Sequence, residues 1–157
     1  MIRVRLKIDG SEILDTIDGY GLVYVSSDHR FEAPLKEFEK TSYPEEEGEH
    51  ILAKTVSDAF DYKVTWFVKA DGSLDNANAV IARFNSLLYT QDGDIKTFKQ
   101  VSFYNDYKKV KVVGTPSLIQ EATEFWRDAN GKQHDVVQVE WVIRVSKPSS
   151  CDFNLTE

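Results

Sequence analysis

Phe60-Asp-Tyr-Lys-Val-Thr-Trp-Phe-Val-Lys69 decides the fold of this chain. Its apolar residues alternate, with Tyr62, Val64, Trp66 and Val68 on one face, a period that belongs to a strand. Downstream the period changes. Ala77, Val80, Ile81, Phe84 and Leu88, with Leu87, recur at helical spacing and predict a helix over about residues 76–89, with Asp75 capping its first turn. Only one face of that helix is apolar, so it lies on a sheet. Two hairpins follow, and the second ends in another alternating run: Val137, Val139, Trp141, Ile143 and Val145. A strand, one helix and two long hairpins in succession predict a mainly β (α+β) fold. Its form is an antiparallel β-sandwich or split barrel with one flanking α-helix.

The flanks extend this reading. Ile2, Val4, Leu6 and Ile8 give a first strand with Arg3, Arg5 and Lys7 outside, closed by the turn signal Asp9-Gly10. Gly21-Leu-Val-Tyr-Val25 reads as a second strand. Residues 31–38 read as an edge strand, because Pro34 cannot donate to a central ladder. The chain of 157 residues is the size of one domain, residues 1–157, with a long loop at about 40–59 and a short C-terminal tail from about 148. The loop contains Tyr43-Pro-Glu-Glu-Glu-Gly-Glu49, which has no period and four carboxylates in seven residues. A loop of that length in a compact domain is functional or disordered.

The hairpin registers follow from parity. Around Asn105-Asp106 a two-residue loop pairs Val101 with Val110 and Phe103 with Lys108, and gathers Gln100, Ser102, Tyr104, Tyr107, Lys109 and Lys111 on the other face. Near Asn130-Gly131 a two-residue loop would set Glu121 opposite Glu140, an unfavourable pair. A shifted register, with an odd loop or a bulge at the tip, instead pairs Val137 with Phe125, Val139 with Thr123 and Ile143 with Ile119. The arms are roughly ten residues each, against ~5–6 for an ordinary strand, so this hairpin is expected to project or to reach a neighbour.

Composition narrows the function classes. Hydrophobic residues at 41% and aromatics at 12% suffice for a core, and a net charge of −7 argues against a general nucleic-acid binder, which needs a basic footprint. Cys151 is the only cysteine, so no intrachain disulfide forms. The first residues alternate instead of forming a signal peptide, and no apolar stretch approaches the ~20 residues of a membrane helix. The expectation is a chain that folds in a reducing cytoplasm.

Motifs for chemistry are absent. Gly19-Tyr-Gly21 continues into Leu22, Val23 and Tyr24, so GxGxxG fails, and no GxxxxGK[ST] occurs. His29, His50 and His134 have no second histidine at ligand spacing, and Asp28-His29 reads as a solvated turn pair. Glu45-Glu46-Glu47 lacks the alternation of a calcium loop. No GxSxG turn occurs, Cys151 has no evident histidine partner, and no carboxylate pair stands out. Lys108, Lys109 and Lys111 read as the solvated face of a strand. No enzyme activity, cofactor or metal is expected. Trp126 is the aromatic that the core does not absorb. It sits between Phe125 and Arg127 toward a hairpin tip, where it either anchors an interface or is buried against its own sheet.

The order of these elements resembles the N-terminal, ring-forming domain of the distal tail proteins of long-tailed bacteriophages, over residues 1 to about 153. The resemblance rests on Asp9-Gly10, Gly21-Leu-Val-Tyr24, Pro34 and Lys36, and the loop Tyr43-Pro-Glu-Glu-Glu-Gly48. It continues through Tyr62-Lys-Val-Thr-Trp-Phe-Val68, the helix with Ala82-Arg83-Phe84-Asn85 and Leu87-Leu88, the hairpin from Val101 to Val113, and Lys147-Pro148. Taken singly these motifs are weak; their order is more specific. The loop at 43–49 departs from the family in its acidity, and the chain stops where many members continue into a second, carbohydrate-binding-like domain. The resemblance implies a structural component of the virion tail. Such a subunit assembles as a hexameric ring between tail tube and tail tip, with DNA only passing through the channel, and resides in the bacterial cytoplasm before assembly. Its expected partners are further copies of itself and the tube and tip proteins, with no membrane. The expected interface residues are Tyr43, Pro44, Glu45, Glu46 and Glu47 in the loop and Phe125, Trp126 and Arg127 in the hairpin. Two other readings remain: a small-ligand-binding β-barrel, and a hydrolase with an unrecognised carboxylate pair.

Overall fold

A computed structural model describes residues 4–35, 40–41, 50–51, 57–72, 74–126 and 134–155. The N-terminal half contributes β1 (Arg5–Ile8), β2 (Leu14–Asp15), α1 (Thr16–Tyr20), β3 (Val23–Ser27), β4 (Lys40–Thr41), β5 (His50–Ile51), β6 (Phe60–Gly72) and α2 (Leu74–Leu87). The C-terminal half contributes β7 (Tyr89–Asp92), β8 (Ile95–Phe98), β9 (Val101–Asn105), β10 (Val110–Pro116), β11 (Ala122–Trp126), β12 (His134–Val145) and a 3₁₀ turn at Pro148–Ser150. The main sheet runs β2-β1-β9-β10-β12-β6-β3, with β11 beside β12 and every pair antiparallel.

β10 is the corner strand. Its residues Val110 to Gly114 pair with β9, and then Thr115 and Pro116 pair with Arg144 and Ile143 of β12. A side chain at Gly114 would run into the Arg144 carbonyl oxygen, so glycine lets the two layers meet at this corner. The fold is thus a sandwich of two linked layers and not a closed barrel. α1 sits in the chain between the two edge strands, β2 and β3. Asp15 accepts from the Ile17 N–H at 2.9 Å at its start, and Gly21 ends it with φ 73°.

The inner face is the alternation read from the sequence. Tyr62, Val64, Trp66 and Val68 are buried, opposite Ile143, Trp141, Val139 and Val137. Phe103 of the other layer meets Trp66 and Tyr62 with ring centroids 5.8 and 6.0 Å apart, and Phe84 of α2 meets Trp141 edge-on at 5.4 Å. The expected helix is present as α2, displaced toward the N-terminus, with Asp75 inside the first turn instead of capping it. Ala77, Phe84 and Leu88 are fully buried, while Val80 and Ile81 pack partly buried against the core.

Several expected details change. The hairpin of β9 and β10 pairs Asn105 with Val110 and Phe103 with Val112, so residues 106–109 form its loop. The slide preserves parity, and the buried face is the expected one. In β11–β12, Val137 faces Glu124 and Val139 faces Ala122, in place of Phe125 and Thr123. Ala122 to Phe125 thus keep the register of the rejected two-residue loop; the ladder ends at Ala122, one residue short of a Glu121/Glu140 pair, and the register shift lies inside β11, between Phe125 and Trp126, and not in the direction expected. The expected Ile143–Ile119 pair is replaced by Ile143–Pro116. The arms are unequal, 5 residues for β11 and 12 for β12, and β12 is a central strand paired with β6 along its length. A further hairpin, β7–β8, follows α2. Of the strand expected at 31–38, the described part contributes only the bridge between Leu35 and Ser57. The expected C-terminal tail is structural: Asp152 bridges Lys111 on β10, and Phe153 stacks on Phe60 at 6.0 Å.

Candidate interaction surface

The main polar cluster lies where one end of the sandwich would otherwise open to water. Asn105, fully buried, donates from Nδ2 to the Tyr24 hydroxyl at 3.0 Å, and Tyr62 OH donates to Ser27 Oγ at 3.0 Å. The Tyr24 hydroxyl and Ser27 Oγ are 2.9 Å apart, and Lys108 Nζ donates to the Ser27 carbonyl. Burial is the main cause that pushes the Tyr62 phenol up to about 12, against the lowering effect of its bond to Ser27. A phenol held neutral and an ammonium held by a backbone carbonyl make a structural plug. None of these hydrogen bonds supplies a base that would activate Ser27.

Cys151 is half-buried. Burial raises its thiol pKa, while the Val113 N–H, 3.5 Å from Sγ, acts the other way. A thiol held in its neutral form is a poor nucleophile. Among the described residues no group of three or more His, Cys, Asp or Glu side chains lies close enough to hold a metal ion. No helix among them is long and apolar enough to cross a membrane.

The expected interface residues fall in two sets. Tyr43, Pro44, Glu45, Glu46, Glu47 and Arg127 lie outside the described residues. The backbone of Phe125 and Trp126 is described: both belong to β11, with Phe125 opposite Val136 and Trp126 opposite His134. The outer face of β12 carries Val136 and Val142, both partly exposed, in contrast to the fully covered Ile143 and Trp141. Folding of the chain therefore covers one face of β12 and leaves the other partly open.

Sequence reasoning missed the surface that stands out most, the hairpin β7–β8. Asp92 pairs with Ile95, which leaves Gly93-Asp94 as a two-residue loop. Gly93 has φ 61°, and Asp94 is not among the positive-φ residues, the pattern of a II′ turn. Seven of its eight strand residues are exposed, so water reaches both faces. Ile95 is 70% exposed and Phe98 37%. The signal that could have found it is Asp92-Gly93, but its flanks do not alternate. At its base, Phe98, Pro116, Leu118 and Val142 line an open groove of about 470 Å³ rimmed by Asp61 and Arg144, which pair at 3.2 Å. A second groove, about 650 Å³, lies between residues 32–35 and 148–153 and is lined in part by Ala33, Leu35 and Phe153. No family model matches the chain, and no curated protein does.

Proposed function

We propose that this chain is a structural subunit of a bacteriophage or prophage tail, assembling as a closed ring between tail tube and tail tip through which DNA passes. One observation carries the reading: folding covers the inner face of the sheets with aromatic side chains yet leaves apolar surface at Val136, Val142, Phe98 and Ile95. Large exposed apolar side chains beside a groove favour association over solvation. The order of strand, helix and hairpins supports placing the subunit among distal tail proteins, and the interior filled by Trp66, Trp141 and Phe103 supports a structural role.

Light scattering coupled to gel filtration, followed by negative-stain imaging, tests this. The expected result is a particle of about six times the 18.0 kDa chain mass, imaged as a ring. A strict monomer at high concentration overturns the reading and moves the small-ligand alternative ahead, with the groove at Leu35 and Phe153 as the place to look.

A further inference from the structure

The edge of β10 that faces away from β9 is closed by residues 151–155 of the same chain. Lys111 makes both of its outward backbone bonds with Asp152, at 2.7 and 2.8 Å, and the Lys109 carbonyl accepts from the Leu155 N–H at 2.8 Å. At Val113 a side chain completes the edge, with Cys151 Sγ 3.5 Å from the N–H and 3.9 Å from the carbonyl. Phe153 packs on Phe60 with centroids 6.0 Å apart. None of these contacts depends on the route by which the segment reaches the edge. That route is a separate piece. Ser150 donates from N and from Oγ to the Lys147 carbonyl, at 3.0 and 2.6 Å, and the Cys151 N–H donates to the Pro148 carbonyl at 3.1 Å. Among the described residues no hydrogen bond of Lys147 to Ser150 reaches either layer, so straightening this turn breaks only the turn's own bonds. Extended, the chain from Val145 to Asp152 reaches about 23–25 Å, enough to cross to an adjoining copy.

We infer that residues 151–155 are exchanged between copies, the segment of one copy lying on the Lys109–Val113 edge and on Phe60 of the next. The same bonds form in the closed and the exchanged arrangement, which is why exchange of an identical element is a low-cost route to assembly. Two bare β10 edges suit each other less well. A two-fold pairing that used the whole edge from Lys109 to Val113 would set Lys111 opposite Lys111, a like-charge pair. The segment puts Asp152 at that position. The inference rests on the ring reading and names a link for it. Each copy gives its segment to one neighbour and receives one from the other, a head-to-tail contact that closes about an axis.

Disulfide trapping in a Cys151→Ser background tests it, because Lys111 and Asp152 stand opposite each other in the bridge. An equal mixture of the single variants Lys111→Cys and Asp152→Cys is expected to give covalent dimers on mild oxidation, and each single variant alone to cross-link at least tenfold more slowly. The double variant is expected to give a ladder of multimers on a non-reducing gel. A second measurement needs no variant: an excess of a synthetic peptide of residues 148–155, added to the wild-type chain, is expected to lower the mean mass in light scattering at least twofold by taking the place of the neighbour's segment. A double variant bridged only within its own chain, a single variant that dimerises as fast as the mixture, or a mass unmoved by the peptide overturns the inference. If light scattering on the untreated chain finds a ring while the double variant bridges only within its own chain, the exchange is wrong and the ring reading stands. If the double variant cross-links into closed pairs and nothing larger, the exchange stands and the ring reading fails.

Discussion

Trp66 and Trp141 share one core, with centroids 6.2 Å apart, but their indole N–H groups meet different surroundings. Trp141 Nε1 donates to the Ser117 carbonyl at 2.7 Å, whereas Trp66 Nε1 is buried with no acceptor. A buried, unpaired donor is already a cost, and removing it returns part of what the lost ring volume takes away. Trp141→Phe is therefore expected to destabilise more than Trp66→Phe, by about 1–2 kcal/mol in urea unfolding; equal losses would contradict the hydrogen-bond assignment. Tyr62 makes a second residue-scale test. Its phenol rises from the ordinary 10.0 to about 12 in the folded chain, chiefly through burial. Between those values the unfolded chain has released the proton and the folded chain still holds it. Stability is then full below pH 10 and falls as pH rises toward about 12. Burial also raises the pKa values of Tyr20 and Cys151, with the same sign. Tyr62→Phe should lose stability at pH 8, through the missing bond to Ser27, but show a shallower fall across the alkaline range. Parallel pH curves for the variant and the wild type would refute this.

At the scale of elements, α2 is held by more than its apolar face. Asn85 Oδ1 accepts from the Ile119 N–H at 2.9 Å, and Asn85 Nδ2 donates to the Ile119 carbonyl at 2.9 Å, so one side chain substitutes for a strand partner where the chain leaves β10 for β11. Asn85→Ala leaves both Ile119 groups without that partner and is expected to cost about 2 kcal/mol or more. Phe84→Ala empties a site between Tyr20 and Trp141 and is expected to cost about 3–5 kcal/mol; a loss under ~1 kcal/mol would mean the helix packs by another face. Elements buried on one side, such as β6, β12 and α2, were legible because burial writes its period into the residue types. Register was not, because a slide that keeps parity leaves every residue on its face, as in β9–β10. α1 was missed because a helix of 5 residues is too short to show a period; its ends at Asp15 and Gly21 define it. β7–β8 was missed because water on both faces imposes no alternation. Six of the eight expected interface residues lie outside the described residues, and the β11 register sets Phe125 opposite Val136 instead of Val137.

At the scale of the whole molecule, the sandwich is closed by its last residues. Among the described residues β10 pairs with β12 only at Thr115 and Pro116, and no strand of theirs lies on its other edge from Val110 onward. The segment after Val145 returns to that edge. Lys111 N–H donates to the Asp152 carbonyl at 2.7 Å, Asp152 N–H donates to the Lys111 carbonyl at 2.8 Å, and Leu155 N–H donates to the Lys109 carbonyl at 2.8 Å. Phe153 covers Phe60, whose other contacts include the Arg30 guanidinium 4.4 Å from its ring centroid. Truncation after Lys147 removes these backbone bonds, each worth about 1 kcal/mol net, and uncovers apolar surface worth about another. The expected loss is about 3–4 kcal/mol, against about 1 kcal/mol for Phe153→Ala, where the backbone bonds remain. Urea unfolding separates the outcomes: the truncated chain should show a much lower midpoint, and the point variant a small shift. A truncated chain with the wild-type midpoint would mean that the two layers hold together through the β10 corner alone and that the C-terminal segment is only an appendage.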